Sequence, residues 1–167
     1  SPFNFSSNDT AFIDVLSWEG EFVPDDLPEN LVVFDDEFYM TELDRTRRVR
    51  DLLPTDYEET DLDYPVLYMH DGQNLFSDQE SFAGEWEIDE AMLIFENDGY
   101  DGAIIVAVDN GGSLRIDEYT PHSHPVYGGG EGDLYADFIV NTLKPAIDEE
   151  YRTIPQREHS GLMGSSL

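Results

Sequence analysis

Three short apolar runs, with amphipathic stretches between them, constrain the fold of this chain more than any other feature. The runs cover residues 64–70, 102–108 and 159–163. A continuous apolar run of about 4–8 residues is typical of a strand buried on both faces, as in a parallel sheet. Residues 87–97 and 135–151 have helical periodicity. The alternation of strand and helix therefore predicts an α/β fold, a mostly parallel sheet with flanking helices.

The residues outside these runs predict less regular structure. Residues 1–30 are polar and rich in Asp, Asn and Pro, which indicates an irregular lead-in with one short strand over residues 12–16. Two further strands are predicted over residues 31–38 and 47–53, joined by an acidic turn. Residues 109–133, with two glycine clusters, are predicted to form a long loop.

Four arginines cluster in and beside the second of these strands. They fit either a basic patch for phosphate or ion pairs with acidic side chains across the hairpin, and the ion pairs are the simpler interpretation. The arginines are Arg45, Arg47, Arg48 and Arg50, and the expected partners are Asp35, Asp36, Glu37 and Asp44.

Charge is the most unusual property of the composition. The 167 residues, enough for one domain, contain 38 Asp and Glu against 8 Lys and Arg, a net charge of −30. Such a charge destabilises a compact state by self-repulsion, which salt screens. We therefore expect a saline environment, with the cytoplasm of a salt-accumulating organism favoured over secretion; an acidic patch for a basic partner is the alternative. Nucleic acid would be repelled, so no nucleic-acid partner is expected.

Several other kinds of site are not expected. The chain has no cysteine, which excludes disulfides, thiolate metal sites and a Cys nucleophile. No apolar run approaches the roughly 18 residues of a membrane span, and no signal peptide is recognisable, although a leader before Ser1 is compatible with the missing Met. His122 and His124 lack a third ligand at a suitable spacing. We expect no metal, no cofactor and no membrane partner.

The last four residues, Gly164 to Leu167, indicate a reactive serine. They fit the first four positions of G-x-S-x-G, the nucleophile elbow, a sharp strand-to-helix turn that exposes a serine hydroxyl. A four-residue match arises often by chance. The segments upstream are what make this match significant.

Five segments in order, from about residue 46 onward, make the chain resemble the esterase family of α/β-hydrolases that includes enterochelin esterases, feruloyl and acetyl xylan esterases and S-formylglutathione hydrolases. They read RRVRDLLPTDY, YPVLYMHDGQNLF, AIIVAVDNGGSLRIDEYTP, GGEGDLYADFIVNTLKPAIDEEYRT and GLMGSSL. The resemblance implies that residues 31–167 are the N-terminal portion of a single α/β-hydrolase domain whose C-terminal part is absent. The first segment departs from the family by placing Arg50 and Asp51 where apolar and aromatic residues are common.

The resemblance also implies site residues. Ser166 would be the nucleophile, and because the triad follows the order Ser, Asp or Glu, His, its acid and base would lie beyond Leu167. The backbone amides of Gln73 and Leu167 would form the oxyanion hole. His70 would have a structural role, fixing the oxyanion loop by hydrogen bonds.

Five further residues lie in or near loops where substrate would bind in such a sheet. For Arg115 a buried ion pair with Glu118 is the more economical interpretation, and for Trp86 it is packing at the helix entry. The predicted substrate-binding residues are Asn74, Trp86, Asp109, Asn110 and Arg115.

The resemblance predicts a serine carboxylic ester hydrolase that acts through an acyl-enzyme on a small-molecule or carbohydrate-linked ester. This chain, without the triad acid and base, is predicted to be inactive. An acyltransferase on the same scaffold and a non-catalytic fragment or interaction module are the alternatives. A sheet that stops at the nucleophile strand would expose an apolar edge, so association through that edge, or with a missing C-terminal half, is expected.

Overall fold

A computed structural model describes residues 27–166. The predicted strand over residues 12–16, most of the lead-in and Leu167 lie outside the described residues. The described part forms a five-stranded sheet in the order β1-β2-β4-β3-β5. The strands are β1 (Leu31–Met40), β2 (Arg45–Leu52), β3 (Val66–His70), β4 (Ile104–Val108) and β5 (Ser160–Met163).

The sheet is mixed, which corrects the expectation of a mostly parallel one. Strands β3, β4 and β5 are parallel to one another, but β1 pairs antiparallel with β2, and β2 pairs antiparallel with β4. The short turn between β1 and β2 permits only an antiparallel hairpin. Helices accompany this mixed sheet, an arrangement consistent with part of an α/β-hydrolase fold.

The helices follow the predicted periodicity with two differences. Residues 132–150 are continuously helical, but a π-helical segment interrupts the run and ends just before Pro145, which cannot donate a backbone hydrogen bond. The predicted loop over residues 109–133 contains a short helix that the periodicity did not indicate. The helices are α1 (Ile88–Asn97), α2 (Arg115–Tyr119), α3 (Gly132–Asp137), the π segment (Phe138–Leu143) and α4 (Lys144–Glu150).

The core lies on both faces of β3 and β4, as their continuous apolar runs predict. Successive side chains of a strand point to opposite faces. Tyr68 and Val106 therefore pack with Phe138 of the π segment on one face, while Met69 and Ile105 pack with the loop and helix that follow β3 on the other.

Strand β5 is an edge strand of the sheet that the described residues form. It pairs with β3, and Leu162 and Met163 are 61% and 48% exposed. The expectation of a strand buried on both faces over residues 159–163 is therefore wrong for the described residues, because β5 has a neighbouring strand on one side only. Among the described residues, no helix is both long enough and apolar enough to cross a membrane.

The arginines of β2 form ion pairs, but the predicted partners on β1 were wrong. Val49 of β2 lies opposite Val108, the last residue of β4, so the N-terminal part of β2 extends past the end of β4. Arg45, Arg47 and Arg48 therefore lie beyond the end of β4, while Arg50 lies opposite Ala107. All four meet carboxylates of the segments that follow β3 and β4. The pairs are Arg45–Glu118, Arg45–Glu131, Arg47–Glu118, Arg48–Glu80, Arg48–Asp109, Arg50–Glu80 and, at the longer distance of 3.6 Å, Arg50–Asp109.

Most of the positively charged side chains of the protein take part in ion pairs within the molecule. Arg115 and Lys144 also pair with carboxylates, so most of the 8 basic side chains have an acidic partner. The surface is left with a large excess of carboxylates, whose mutual repulsion salt screens.

We therefore expect the free energy of unfolding to increase between about 0.1 M and about 1 M KCl, over which the Debye length falls from roughly 10 Å to roughly 3 Å. Urea denaturation, which adds no ions of its own, measures the change. The same series at a pH low enough to protonate most surface carboxylates serves as the control and should show a smaller effect. A midpoint that falls with KCl at neutral pH would contradict the repulsion argument.

Asp51 is a buried carboxyl group of β2 that lies near the C-terminal end of α4. It is 0% exposed, and the Tyr151 hydroxyl faces it without a well-formed hydrogen bond. Burial raises the pKa of Asp51 to about 7, and the nearby charge of Glu150 adds to the shift, while Tyr151 opposes it. The native protein therefore binds a proton here that the unfolded chain has already released at neutral pH.

Because the native pKa of Asp51 lies above the ordinary value of about 3.9, its protonated form stabilises the fold below about pH 4, and that stability is lost as the pH rises through about 7. We expect Asp51→Asn to be more stable than the wild type at about pH 8, by about 2–4 kcal/mol, and equal to it near pH 4. Chemical denaturation across this range measures the difference. Asp36→Asn removes the same charge from an exposed position on β1 and controls for net charge.

Candidate active site

The candidate site lies where the parallel strands end. Because β3, β4 and β5 are parallel, their carboxyl ends meet at one edge of the sheet, where ligands bind in open α/β sheets. Three loops follow these ends, over residues 71–76, 109–114 and 164–166. Since β3 is central among these three strands, its loop lies between the other two.

The turn after β5 carries the serine of the sequence motif. Ser166 has a φ of 53°, in the left-handed region that residues other than glycine rarely adopt. A Cβ atom at Gly164 would lie 2.8 Å from Cδ2 of His70, so a larger residue there would collide with the ring. The sequence thus provides a glycine where the turn passes over His70 and a strained residue at its tip.

The loop after β3 is equally tight. Asp71 has a φ of 56°, and a 3₁₀ turn over Gly72–Asn74 follows it. A Cβ atom at Gly72 would lie 2.9 Å from backbone atoms of Ala107 and Asp109, so this loop rests directly on the end of β4. The backbone N–H of Gln73 lies in the first turn of the 3₁₀ segment, where amides have no partner within the helix.

The loops surround a cleft of about 890 Å³. The structure brings most of the predicted site residues together on it. Asp109 is not among the described residues that line the cleft, and its carboxylate lies 2.9 Å from Nε of Arg48. Leu167 lies outside the described residues. The predicted residues that line the cleft are Gln73, Asn74, Trp86, Asn110, Arg115 and Ser166.

Two of the predicted substrate-binding residues already have partners within the loops. The side-chain oxygen of Asn74 accepts from the Phe82 amide at 3.0 Å. Asn110 donates its side-chain amide to Asp71 at 2.6 Å and its backbone amide to the side-chain oxygen of Gln73 at 3.1 Å. Trp86 packs against the core on the α1 side of the sheet. Contact of these residues with substrate stays a prediction.

Arg115 joins the loop after β3 to the turn after β5. Its Nε and Nη2 donate to the two carboxylate oxygens of Asp71 at 2.7 and 2.8 Å, and Nη2 also donates to the Ser166 carbonyl at 2.8 Å. The predicted ion pair between Arg115 and Glu118 is wrong. Glu118 is fully buried against arginines of β2, which sequence spacing does not place beside it.

The electrostatics of this bridge favour a charged carboxylate. Burial alone would raise the pKa of Asp71, but the hydrogen bonds and charge of Arg115, together with the Asn110 amide, outweigh burial and hold the pKa below its usual value. Asp71 was not among the predicted site residues. Its position in HDGQN, directly before the glycine, could have indicated it.

His70 packs beneath the turn, and among the described contacts its hydrogen bond is to α3, not to the oxyanion loop as expected. Its Nδ1 lies 3.0 Å from the Tyr135 hydroxyl of α3, and its ring contacts that of Tyr119 at 5.1 Å between centroids. Burial lowers the pKa of His70, with Arg115 adding to the effect and Asp71 opposing it. His70 and Ser166 also line a smaller cavity of about 230 Å³ on this side of the turn.

The other histidines lie away from any cluster of ligands. His159 is exposed in a 3₁₀ turn before β5, and His122 and His124 lie in the exposed loop before α3. Within residues 27–166, no group of three or more His, Asp or Glu side chains is arranged to hold a metal ion.

Replacing Arg115 should show how much the bridge contributes. Arg115→Met leaves the buried Asp71 carboxylate without its cation, and we expect a loss of about 2–3 kcal/mol near pH 7. Since the native pKa of Asp71 is lowered, the pair stabilises the fold above about pH 4, and this contribution is lost as the pH falls through the native pKa. The difference from wild type should therefore shrink as the pH falls below about 4. Arg157→Met, at an exposed position, controls for charge, and an equal loss in both variants would contradict the bridge.

Comparison with known proteins places these observations in a family. An uncharacterized protein of Bacillus subtilis, YbbA, is 26% identical over 127 residues, a match that covers 72% of this chain and 47% of that protein. The chain thus spans about half the length of the curated relative it matches.

Solved structures show the same fold. An IroE-like serine hydrolase from Shewanella oneidensis is 26% identical with a TM-score of 0.54, covering 68% of this chain and 37% of that one. The siderophore hydrolase EstB from Aspergillus nidulans is 21% identical with a TM-score of 0.62, covering 83% and 49%. The sequence model of the family described as "Putative esterase" matches residues 40–167, and the chain belongs to that family.

Proposed function

We propose that this chain carries the nucleophile and the oxyanion loop of a serine carboxylic ester hydrolase. The observation that carries the proposal is the left-handed backbone of Ser166 at the end of β5, on the same cleft as Gln73. Strained residues of this kind cluster at functional sites, and a nucleophile elbow has such a turn. Membership of the esterase family supports ester hydrolysis, and the similar structures include hydrolases.

The proposed reaction has two steps. Oγ of Ser166 attacks the ester carbonyl while a histidine accepts its proton, and the tetrahedral oxyanion accepts hydrogen bonds from the Gln73 and Leu167 amides. The alcohol leaves with a proton from that histidine, which forms the acyl-serine. Water then attacks the acyl group and releases the acid, which regenerates Ser166. The proposed substrate is a small-molecule or carbohydrate-linked ester.

The histidine and its acidic partner are proposed to follow Leu167 in the active protein. In this fold the triad residues follow the nucleophile in the chain. The same continuation would cover the apolar edge of β5, where Leu162 and Met163 are exposed. We accordingly propose that residues 1–167 alone, without this histidine and its acidic partner, turn over no ester.

A fluorophosphonate probe tests the nucleophile. In a protein that extends this chain by its natural continuation, we expect the probe to label Ser166 and the Ser166→Ala variant to remain unlabelled, because the probe reacts with an activated serine hydroxyl. Ser165→Ala is the matched control, because the Ser165 hydroxyl lies next to Ser166 and has no proposed catalytic role. The probe should still label this variant. Labelling that persists in Ser166→Ala would overturn the assignment.

The 167-residue chain provides the second half of this test. We expect it to hydrolyse p-nitrophenyl acetate at the rate of its own Ser166→Ala variant. Turnover that depends on Ser166 would mean that the base lies within the chain, and His70 would be the first residue to replace.

A further inference from the structure

Arg50 is a buried arginine in β2 that the proposed reaction does not use. Arg50 is 3% exposed and packs near the Phe76 ring, 5.6 Å from its centroid. Its Nη1 lies 2.9 Å from the Glu80 carboxylate, and its Nη2 donates to the carbonyl oxygen of Gly72 at 2.9 Å. Burying a guanidinium carries a desolvation penalty that a hydrocarbon side chain of similar size would avoid. What a hydrocarbon cannot do is donate to Gly72.

That carbonyl belongs to the same peptide group as the Gln73 amide. In a trans peptide the C=O and the following N–H point in opposite directions, and the described residues contain no cis peptide bond. Arg50 draws the Gly72 carbonyl toward the buried side of the loop. The Gln73 N–H is therefore directed to the opposite side, toward the cleft that Gln73 and Ser166 line.

Translation of this loop is already limited by close contact. Gly72 lies so near Ala107 and Asp109 that a Cβ atom there would come within 2.9 Å of their backbone atoms. The Gln73 side chain is held by the Asn110 amide at 3.1 Å. The Gly72 carbonyl accepts a long hydrogen bond of 3.3 Å from the Leu75 amide within the 3₁₀ turn and the shorter one of 2.9 Å from Arg50. Together these two hydrogen bonds restrict rotation of the peptide plane between Gly72 and Gln73.

We propose that Arg50 is a positioning residue that orients the backbone amide of Gln73 for the oxyanion hole. The proposal rests on the proposed function, in which that amide stabilises the tetrahedral intermediate. Arg50 itself touches no substrate. Its effect passes through one peptide group, and an oxyanion-hole donor must already point at the developing charge to contribute fully.

The chain offers a matched control two residues away. Arg48 pairs with the same two carboxylates as Arg50, at 3.1 Å from Glu80 and 2.9 Å from Asp109. No hydrogen bond joins Arg48 to the Gly72 carbonyl among the described contacts. Arg48→Met and Arg50→Met therefore remove similar ion pairs, and they differ in the hydrogen bond to the oxyanion loop.

The first measurement is independent of activity. Residual dipolar couplings on the 167-residue chain report the direction of the Gln73 N–H vector. We expect Arg50→Met to change the Gln73 coupling while Arg48→Met leaves it at the wild-type value, and Arg50→Lys, which keeps the charge, to give an intermediate result. A Gln73 coupling that is the same in Arg50→Met as in wild type, or that changes equally in both Met variants, would overturn the proposal. If Arg50→Met does not fold, Arg50→Lys decides by the same criterion.

The second measurement uses the extended protein that the fluorophosphonate probe labels. Losing one oxyanion donor costs about 10²- to 10³-fold in kcat, so misorienting one should lower kcat on the order of 10- to 100-fold. We expect Arg50→Met to show this loss with KM within about twofold and with an equal loss of affinity for a boronic acid analogue of the tetrahedral intermediate. Arg48→Met should keep kcat within about threefold. A raised KM with unchanged kcat in Arg50→Met would overturn the positioning role.

The two measurements separate the two proposals. If no probe labels Ser166, the esterase proposal fails, and the dipolar couplings still decide whether Arg50 orients the Gln73 amide. If Ser166 is labelled and Arg50→Met retains wild-type kcat, the esterase proposal stands and the positioning role fails.

Discussion

The candidate site depends on the antiparallel placement of β2 beside β4. Because β2 runs opposite to the parallel strands, its N-terminal arginines extend past the end of β4, at the edge where the site loops begin. Each of these arginines pairs with a carboxylate far away in the sequence, such as Glu80 in the segment after β3 or Glu118 in α2. A guanidinium that makes two hydrogen bonds to a carboxylate, or is shared by two carboxylates, fixes both the orientation of its partner and the distance to it. A contact between methylene groups fixes neither. The loops after β3 and β4 are thus held by charge as well as by packing.

This use of arginine explains how an acidic chain can build a defined site. With 38 acidic and 8 basic side chains, cations are scarce, and several of them are placed at this one edge of the sheet. Buried ion pairs are screened by salt far less than surface charges are. High ionic strength can therefore relieve repulsion at the surface while the pairs that hold the loops remain. Asp71 and Arg115 extend the same principle to the turn that carries Ser166.

The sequence predicted the parts of this fold that have a local pattern. Strands β3 and β4 are buried on both faces, so their apolar runs locate them within two residues. A motif with a fixed spacing singled out Ser166, whose role as the nucleophile stays a prediction. The partners of the arginines could not be predicted, because they depend on the strand order that brings β2 next to β4. The short helix α2 was missed because five residues are too few for a periodic pattern.

The candidate site was predictable to the same extent. The motif HDGQN indicated Gln73, but the role proposed for Arg50 depends on which way one peptide group faces, and a pattern of side chains does not contain that direction. Asn110 and Arg115 were predicted near the site, yet the structure gives both of them partners within the loops themselves.

A crystal structure of the extended protein with a phosphonate ester bound would test the central claim most directly. The account predicts a covalent bond from Oγ of Ser166 to phosphorus, with a phosphonyl oxygen about 2.7–3.1 Å from the Gln73 amide nitrogen. It also predicts that Arg50 still donates to the Gly72 carbonyl in that complex. A phosphonate bound to another residue, or a phosphonyl oxygen facing away from Gln73, would contradict the account.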